Sequence, residues 1–294
     1  MSWIQRQKIF NRYLPMFLSV VLVVVAGFVY LIFNKNVQVA EAAPSFIKEV
    51  GSTDIGASNA FCVITVPVGG VALGNLIVGV ATSGSGQDVV SVTDSRGNSY
   101  TVGPLAHNTA GTDWGSNYFY GKATTALLNG DSITVTFANS YYDAKICRAL
   151  EYSGIASSNF FDGANFNMDD TFPQSSTGDT GTVTATGNND LLVVFCSAGT
   201  DPMTWTNTIN FTTRGSTING GGISVYSEDR TVSSSGSYSA GPGLSAQQYW
   251  ICHILAFKAA PFSNNSSINI RAGGAGGPSL KIRTGGSGNG LNFR

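Results

Sequence analysis

Between residues 45 and 258 the chain alternates short apolar runs with clusters of Gly, Asn, Asp and Ser, and it nowhere sustains a helical period. Runs at 61–66, 75–81, 89–93, 117–121, 132–137 and 145–152 predict strands, as do those at 181–186, 190–197, 223–228, 236–240 and 249–258. Many short strands with regular turn signals predict an all-β fold, a two-sheet antiparallel sandwich or jelly roll. The segment Thr93-Asp94-Ser95-Arg96-Gly97-Asn98-Ser99-Tyr100 predicts a hairpin turn, because Gly97 and Asn98 tolerate positive φ and Asp94 can bond its own turn.

A different pattern precedes this region. Residues 14–33 form a 20-residue run without a charge, after Arg6, Lys8 and Arg12. A helix of that length covers ~30 Å, the hydrocarbon thickness of a bilayer. The basic flank puts the N-terminus in the cytoplasm and residues 45–294 on the extracytoplasmic side. Ala40-Glu41-Ala42 fits the small-x-small pattern of a cleavage site, whereas the length of the run fits a retained anchor. The chain thus divides into a signal peptide or anchor (1–42), a β-domain (43–260) and a Gly-rich basic tail (261–294).

The β-region repeats itself. Asn75-Leu76-Ile77-Val78-Gly79-Val80-Ala81-Thr82-Ser83-Gly84 resembles Asp190-Leu191-Leu192-Val193-Val194-Phe195-Cys196-Ser197-Ala198-Gly199, and Ile146-Cys147-Arg148-Ala149-Leu150-Glu151-Tyr152 resembles Ile251-Cys252-His253-Ile254-Leu255-Ala256-Phe257. The two matches come in the same order, which predicts an internal pseudo-duplication. Val92-Thr93-Asp94-Ser95-Arg96-Gly97-Asn98-Ser99-Tyr100, Glu151-Tyr152-Ser153-Gly154, Ser227-Glu228-Asp229-Arg230 and a closing Trp250…Ala256-Phe257 together resemble a widespread bacterial domain. That domain occurs in secreted, surface and phage-like proteins, often beside adhesive or carbohydrate-associated modules. The resemblance covers roughly residues 45–260. It implies a lectin-like or immunoglobulin-like sandwich of unassigned function and supplies no catalytic residues.

Charge is partitioned along the chain. Residues 43–260 carry eight basic and sixteen acidic residues, and residues 261–294 carry four basic and none acidic. An acidic domain argues against nucleic acid as a partner. The tail holds three units, Ile268-Asn269-Ile270-Arg271, Leu280-Lys281-Ile282-Arg283 and Leu291-Asn292-Phe293-Arg294, joined by Gly-rich links. Arg271, Lys281, Arg283 and Arg294 are the expected tail contacts to an anionic envelope polymer or to other copies of the chain.

Cys62, Cys147, Cys196 and Cys252 lie in apolar strands without zinc-ribbon spacing; an even count in an exported chain permits two disulfides in three connectivities. No cofactor is expected. Asp94, Asn98, Asp113, Asp143, Asp169, Asp170 and Asp201 supply loop oxygens for calcium, but their spacing is that of ordinary Asx turns. Glu151 and Glu228 are the later-strand glutamates that a glycosidase pair would require, and ordinary strand-edge bonding to Arg148, Arg230 or backbone is the simpler reading. His107 and His253 have no recognisable triad partners. The expected ligand contacts are instead loop groups: Asp113 and Trp114, Tyr141, Tyr142 and Asp143, and Trp205, whose rings can stack on sugars or anchor a partner. Trp250 is expected in the core. These features predict an exported, envelope-associated binding module of adhesin or carbohydrate-binding type that is not an enzyme. The alternatives are an assembly subunit of a surface layer or appendage and, last, a glycan-acting hydrolase.

Overall fold

The computed structural model describes residues 43–55, 59–109, 113–141, 144–199, 203–218 and 222–261, and the backbone of 267–271 and 279–283. The expected N-terminal helix at 14–33 and the tail unit ending at Arg294 lie outside the described residues. What is described is all-β, with every pairing antiparallel.

The first half of the domain contributes β1 (Ser45–Ile55), β2 (Phe61–Thr65), β3 (Leu76–Ser83), β4 (Val89–Asp94), β5 (Thr101–Val102), β6 (Ala106–Asn108), β7 (Trp114–Lys122), β8 (Ser132–Phe137) and β9 (Lys145–Ser153). The second contributes β10 (Phe161–Asp169), β11 (Ser175–Thr177), β12 (Val183–Ala185), β13 (Leu191–Gly199), β14 (Trp205–Thr206), β15 (Thr212–Ile218), β16 (Ile223–Thr231), β17 (Gly236–Tyr238), β18 (Gly243–Gln248) and β19 (Trp250–Phe257). In the tail, β20 (Ser267–Arg271) pairs with β21 (Ser279–Arg283), with Ile268 opposite Ile282 and Ile270 opposite Leu280.

Two long sheets have matching orders, β1-β9-β3-β7-β5 and β10-β19-β13-β16-β15. In each, the first strand of the half forms an edge and the last strand lies beside it. The registers match as well: Ala81 faces Cys147 in one sheet and Cys196 faces Cys252 in the other. These are the positions that the two sequence matches align.

The layers follow from alternation along fully buried strands. In β3, Leu76, Val78 and Val80 join Leu191, Val193 and Phe195 of β13 in a core between the long sheets. The intervening Ile77 and Ala81 point the other way, into a second core under a small sheet β2-β8-β4. On β13, Leu192, Val194 and Cys196 likewise face a third core with residues of β12 and β18. A sandwich of only two sheets would leave these outer apolar rows in water, so each long sheet carries an additional covering layer. Each fully buried Val, Leu, Ile or Phe contributes ~1.5–3 kcal/mol over exposure. Gly79 makes room within its own sheet for a neighbouring ring: a Cβ there would lie 2.3 Å from the Phe119 ring of β7 and 2.4 Å from the Arg148 carbonyl oxygen of β9.

Two disulfides sit in the outer cores. Cys62–Cys147 ties β2 of the covering sheet to β9, with Cα atoms 6.2 Å apart, and Cys196–Cys252 joins the neighbouring strands β13 and β19. Polar contacts fasten the halves together within and beside the central core. Arg148 of β9 is 1% exposed at its side chain and donates to Glu49 (2.7 Å), to Thr217 Oγ1 (3.0 Å) and to the Arg214 carbonyl (2.9 Å). Ser52 and Thr217 share a 2.9 Å hydroxyl bond, and Arg214, held by Asp229 of its own sheet at 2.7 Å, lies over the Phe46 ring of the first half at 4.3 Å. On β19, His253 bonds Ser116 of β7 at 3.0 Å.

Candidate functional site

The aromatic groups expected as loop contacts differ in exposure: Tyr141 is in solvent, Trp205 half-buried and Trp114 in the core. Trp114 does not face solvent: it opens β7, is 2% exposed and belongs to the central core. Asp113 precedes a strand whose residues from Trp114 to Phe119 are all buried. Asp113 is exposed and bonds His107 Nε2 at 2.7 Å. Trp205 is half-buried, stacked on Tyr226 at 5.3 Å, and its indole N–H donates to Ser224. It closes the end of the third core. Tyr141 is exposed, and its carbonyl accepts a bond from the Lys145 ammonium. Tyr142 and Asp143 lie outside the described residues. Trp250 is buried as expected.

The two glutamates do not form a pair across a cleft. Glu151 shares its face of β9 with Cys147 and Ala149, towards the second core, and accepts from Ala72 N (3.0 Å) and Asn75 (2.7 Å). Glu228 shares its face of β16 with Tyr226, towards the third core, and accepts from Thr208 N (2.8 Å) and Thr208 Oγ1 (2.6 Å). Alternation therefore turns them outward on opposite sides of the long sheets. Of the partners expected, backbone groups are present, Ala72 N and Thr208 N; Lys48 adds to Glu151 and the Tyr226 hydroxyl to Glu228, whereas Arg148 and Arg230 pair with neither. Burial raises the Glu228 pKa against the bonds from Thr208.

Other acids are likewise engaged by nearby loops. Asp94 accepts from Arg96 N, Asn98 N, the Asn98 amide and the Tyr100 hydroxyl, which builds the turn that the sequence predicts. Asp169 caps Thr171 and Ser175. Among the described residues no three acidic, His or Cys side chains converge to hold a metal ion. His253 is fully buried, and burial lowers its pKa to about 3.

The exposed feature that sequence reasoning missed is the outer face of β2-β8-β4. Phe61, Thr136 and Ser91 form one rung, and Val63, Thr134 and Thr93 form the next. A register shift between Val89 and Ser91 leaves Val90 turned outward. Phe61 is 49%, Val63 42% and Val90 60% exposed, although none of them is needed to cover the core beneath. No charge lies on these rungs; beyond their end, Arg96 and Asp131 neutralise each other at 2.6 Å. The covering strands of the second half turn Thr184, Ser237, Ser245 and Gln247 outward instead. The sequence signal was available in the alternation Phe61-Cys62-Val63-Ile64, where apolar residues occupy both faces of an outer strand. No known protein family matches this chain, and no relative is found among curated proteins.

Proposed function

We propose that the protein is an extracytoplasmic binding module that engages an uncharged polysaccharide through the outer face of β2-β8-β4. The observation that carries this reading is a charge-free face of hydroxyl and apolar side chains on a domain with a strong acidic excess. Threonine hydroxyls at regular strand spacing can exchange hydrogen bonds with sugar hydroxyls. Phe61, Val63 and Val90 offer apolar surface to the C–H faces of the rings. An anionic polymer would find no cation on this face.

The test is depletion of the protein from solution by microcrystalline cellulose, chitin and insoluble mannan, at low and high salt. Retention on at least one polymer, independent of salt, is expected. Phe61→Ser with Val63→Ser should lower it by tenfold or more without lowering thermal stability. Unchanged retention in that double variant would refute the assignment.

The basic tail belongs to the same proposal as an electrostatic hold on the envelope or on other copies, through Arg271, Lys281, Arg283 and Arg294. The pairing of two of its repeat units into a hairpin favours a role in assembly as a second reading. Removing residues 261–294 should lower envelope retention at low salt, and the loss should vanish at high salt, where the screening length shrinks to ~3 Å.

A further inference from the structure

A second apolar feature lies at one end of the domain, on the turns rather than on a sheet. Val68 is 83%, Leu73 67% and Leu128 56% exposed. They sit on two turns bound to each other, with Val71 and Leu127 exchanging backbone bonds of 2.8 and 3.1 Å. The first turn is anchored by Ala72 N and Lys48 to Glu151, and Lys48 also donates to the Gly70 carbonyl. These contacts place the turns at the end where β9 finishes and β3 begins.

Both ends of the domain leave from this same place. Ala43 and Pro44 lie against Gly154, where a Cβ would be 2.8 Å from the Ala43 carbonyl oxygen. Ala260 N donates to the Gly154 carbonyl at 2.7 Å. Upstream, nine residues (34–42) separate Ala43 from the uncharged run at 14–33. Nine residues reach at most ~32 Å when fully extended.

We propose that this end of the domain docks on the surface of a lipid bilayer, with Val68, Leu73 and Leu128 entering the interfacial layer. A short tether delivers the end that carries these three aliphatic tips, and exposed aliphatic side chains on turns suit an interface that yields around them. A rigid protein partner would instead demand a matched concave surface. The inference rests on the reading of residues 14–33 as a membrane span and is independent of the polysaccharide reading, which concerns a different face.

The experiment uses the full chain reconstituted into phosphatidylcholine–phosphatidylglycerol vesicles with and without brominated acyl chains. Single variants Leu73→Trp and Leu128→Trp report from the docking end, and Tyr141→Trp reports from the opposite end, beside the start of β9. The four native tryptophans, Trp3 and the three of the domain, provide the common background in every variant and are subtracted from each signal. Brominated lipid should quench the added fluorescence of Leu73→Trp and Leu128→Trp at least twofold more than that of Tyr141→Trp. Circular dichroism verifies that each variant is folded. Equal quenching at the two ends, a blue shift without lipid quenching as a second copy would produce, or no association with vesicles would each overturn the proposal.

Discussion

Arg148 and His253 occupy the same place in the two halves of the domain. Each follows an Ile-Cys pair on the second strand of its long sheet, and each faces the central core and bonds a residue of the other half. The contacts differ in chemistry. Arg148 reaches Thr217 and the Arg214 carbonyl, and its close approach requires Gly215, where φ is +123° and a Cβ would lie 2.3 Å from Nη2. His253 reaches only Ser116, with a Tyr118 ring edge-on at 5.6 Å.

Removing the buried guanidinium should therefore be costly. Arg148→Ala leaves Glu49 without its guanidinium partner, removes the donor to the Arg214 carbonyl and leaves Thr217 with Ser52 alone, and should destabilise the domain by about 3 kcal/mol. Urea denaturation followed by tryptophan fluorescence measures this. A loss below about 1 kcal/mol would mean that the halves do not depend on this contact.

His253 should make stability fall in acid. Its folded pKa is about 3, below the ordinary histidine value, so the unfolded chain binds the extra proton first as pH drops. Its contribution is intact above about pH 6.5 and is lost progressively between there and pH 3, at up to about 1.4 kcal/mol per pH unit. Denaturation of the wild type and of His253→Gln at several pH values should show a shallower slope for the variant in that window. Parallel slopes would exclude the histidine as the source.

Cleaving the disulfides should lower stability through the unfolded state. Their sequence separations of 85 and 56 residues correspond to about 4 kcal/mol each in the chain-entropy account. Cys62→Ala with Cys147→Ala also frees the covering sheet, so hydrogen exchange should rise first in β2, β4 and β8. Uniform exchange across both halves would contradict that localisation.

Trp114→Ala should act on the fold. A ring that is 2% exposed leaves a cavity, and the expected cost is about 3–5 kcal/mol. At a temperature where the variant remains folded, polysaccharide retention should match the wild type. A stable Trp114→Ala protein with selectively abolished binding would return the site to the loops.

Some of this was legible from local chemistry. Buried strands such as Leu76–Ser83 and Leu191–Gly199 announce themselves as unbroken apolar runs, and the Asp94 turn contains its own hydrogen-bonding partners. Edge strands were not legible. Ser45–Ile55, Phe161–Asp169 and Thr212–Ile218 mix Lys, Asp, Asn, Gly and Arg with apolar residues, because an edge strand meets solvent, loops and the opposite half at once.

Periodicity and repetition are properties of the chain, and they carried the all-β class, the equivalence of the two halves and the alignment of Ala81 with Cys196. Tertiary structure alone decided which face each alternate residue meets. It buried Trp114, separated Glu151 from Glu228, joined Cys62 to Cys147 and left Phe61 and Val63 in the open. Those outcomes depend on which layer lies above each sheet, and that is set by contacts between residues far apart in the chain, which no local pattern encodes.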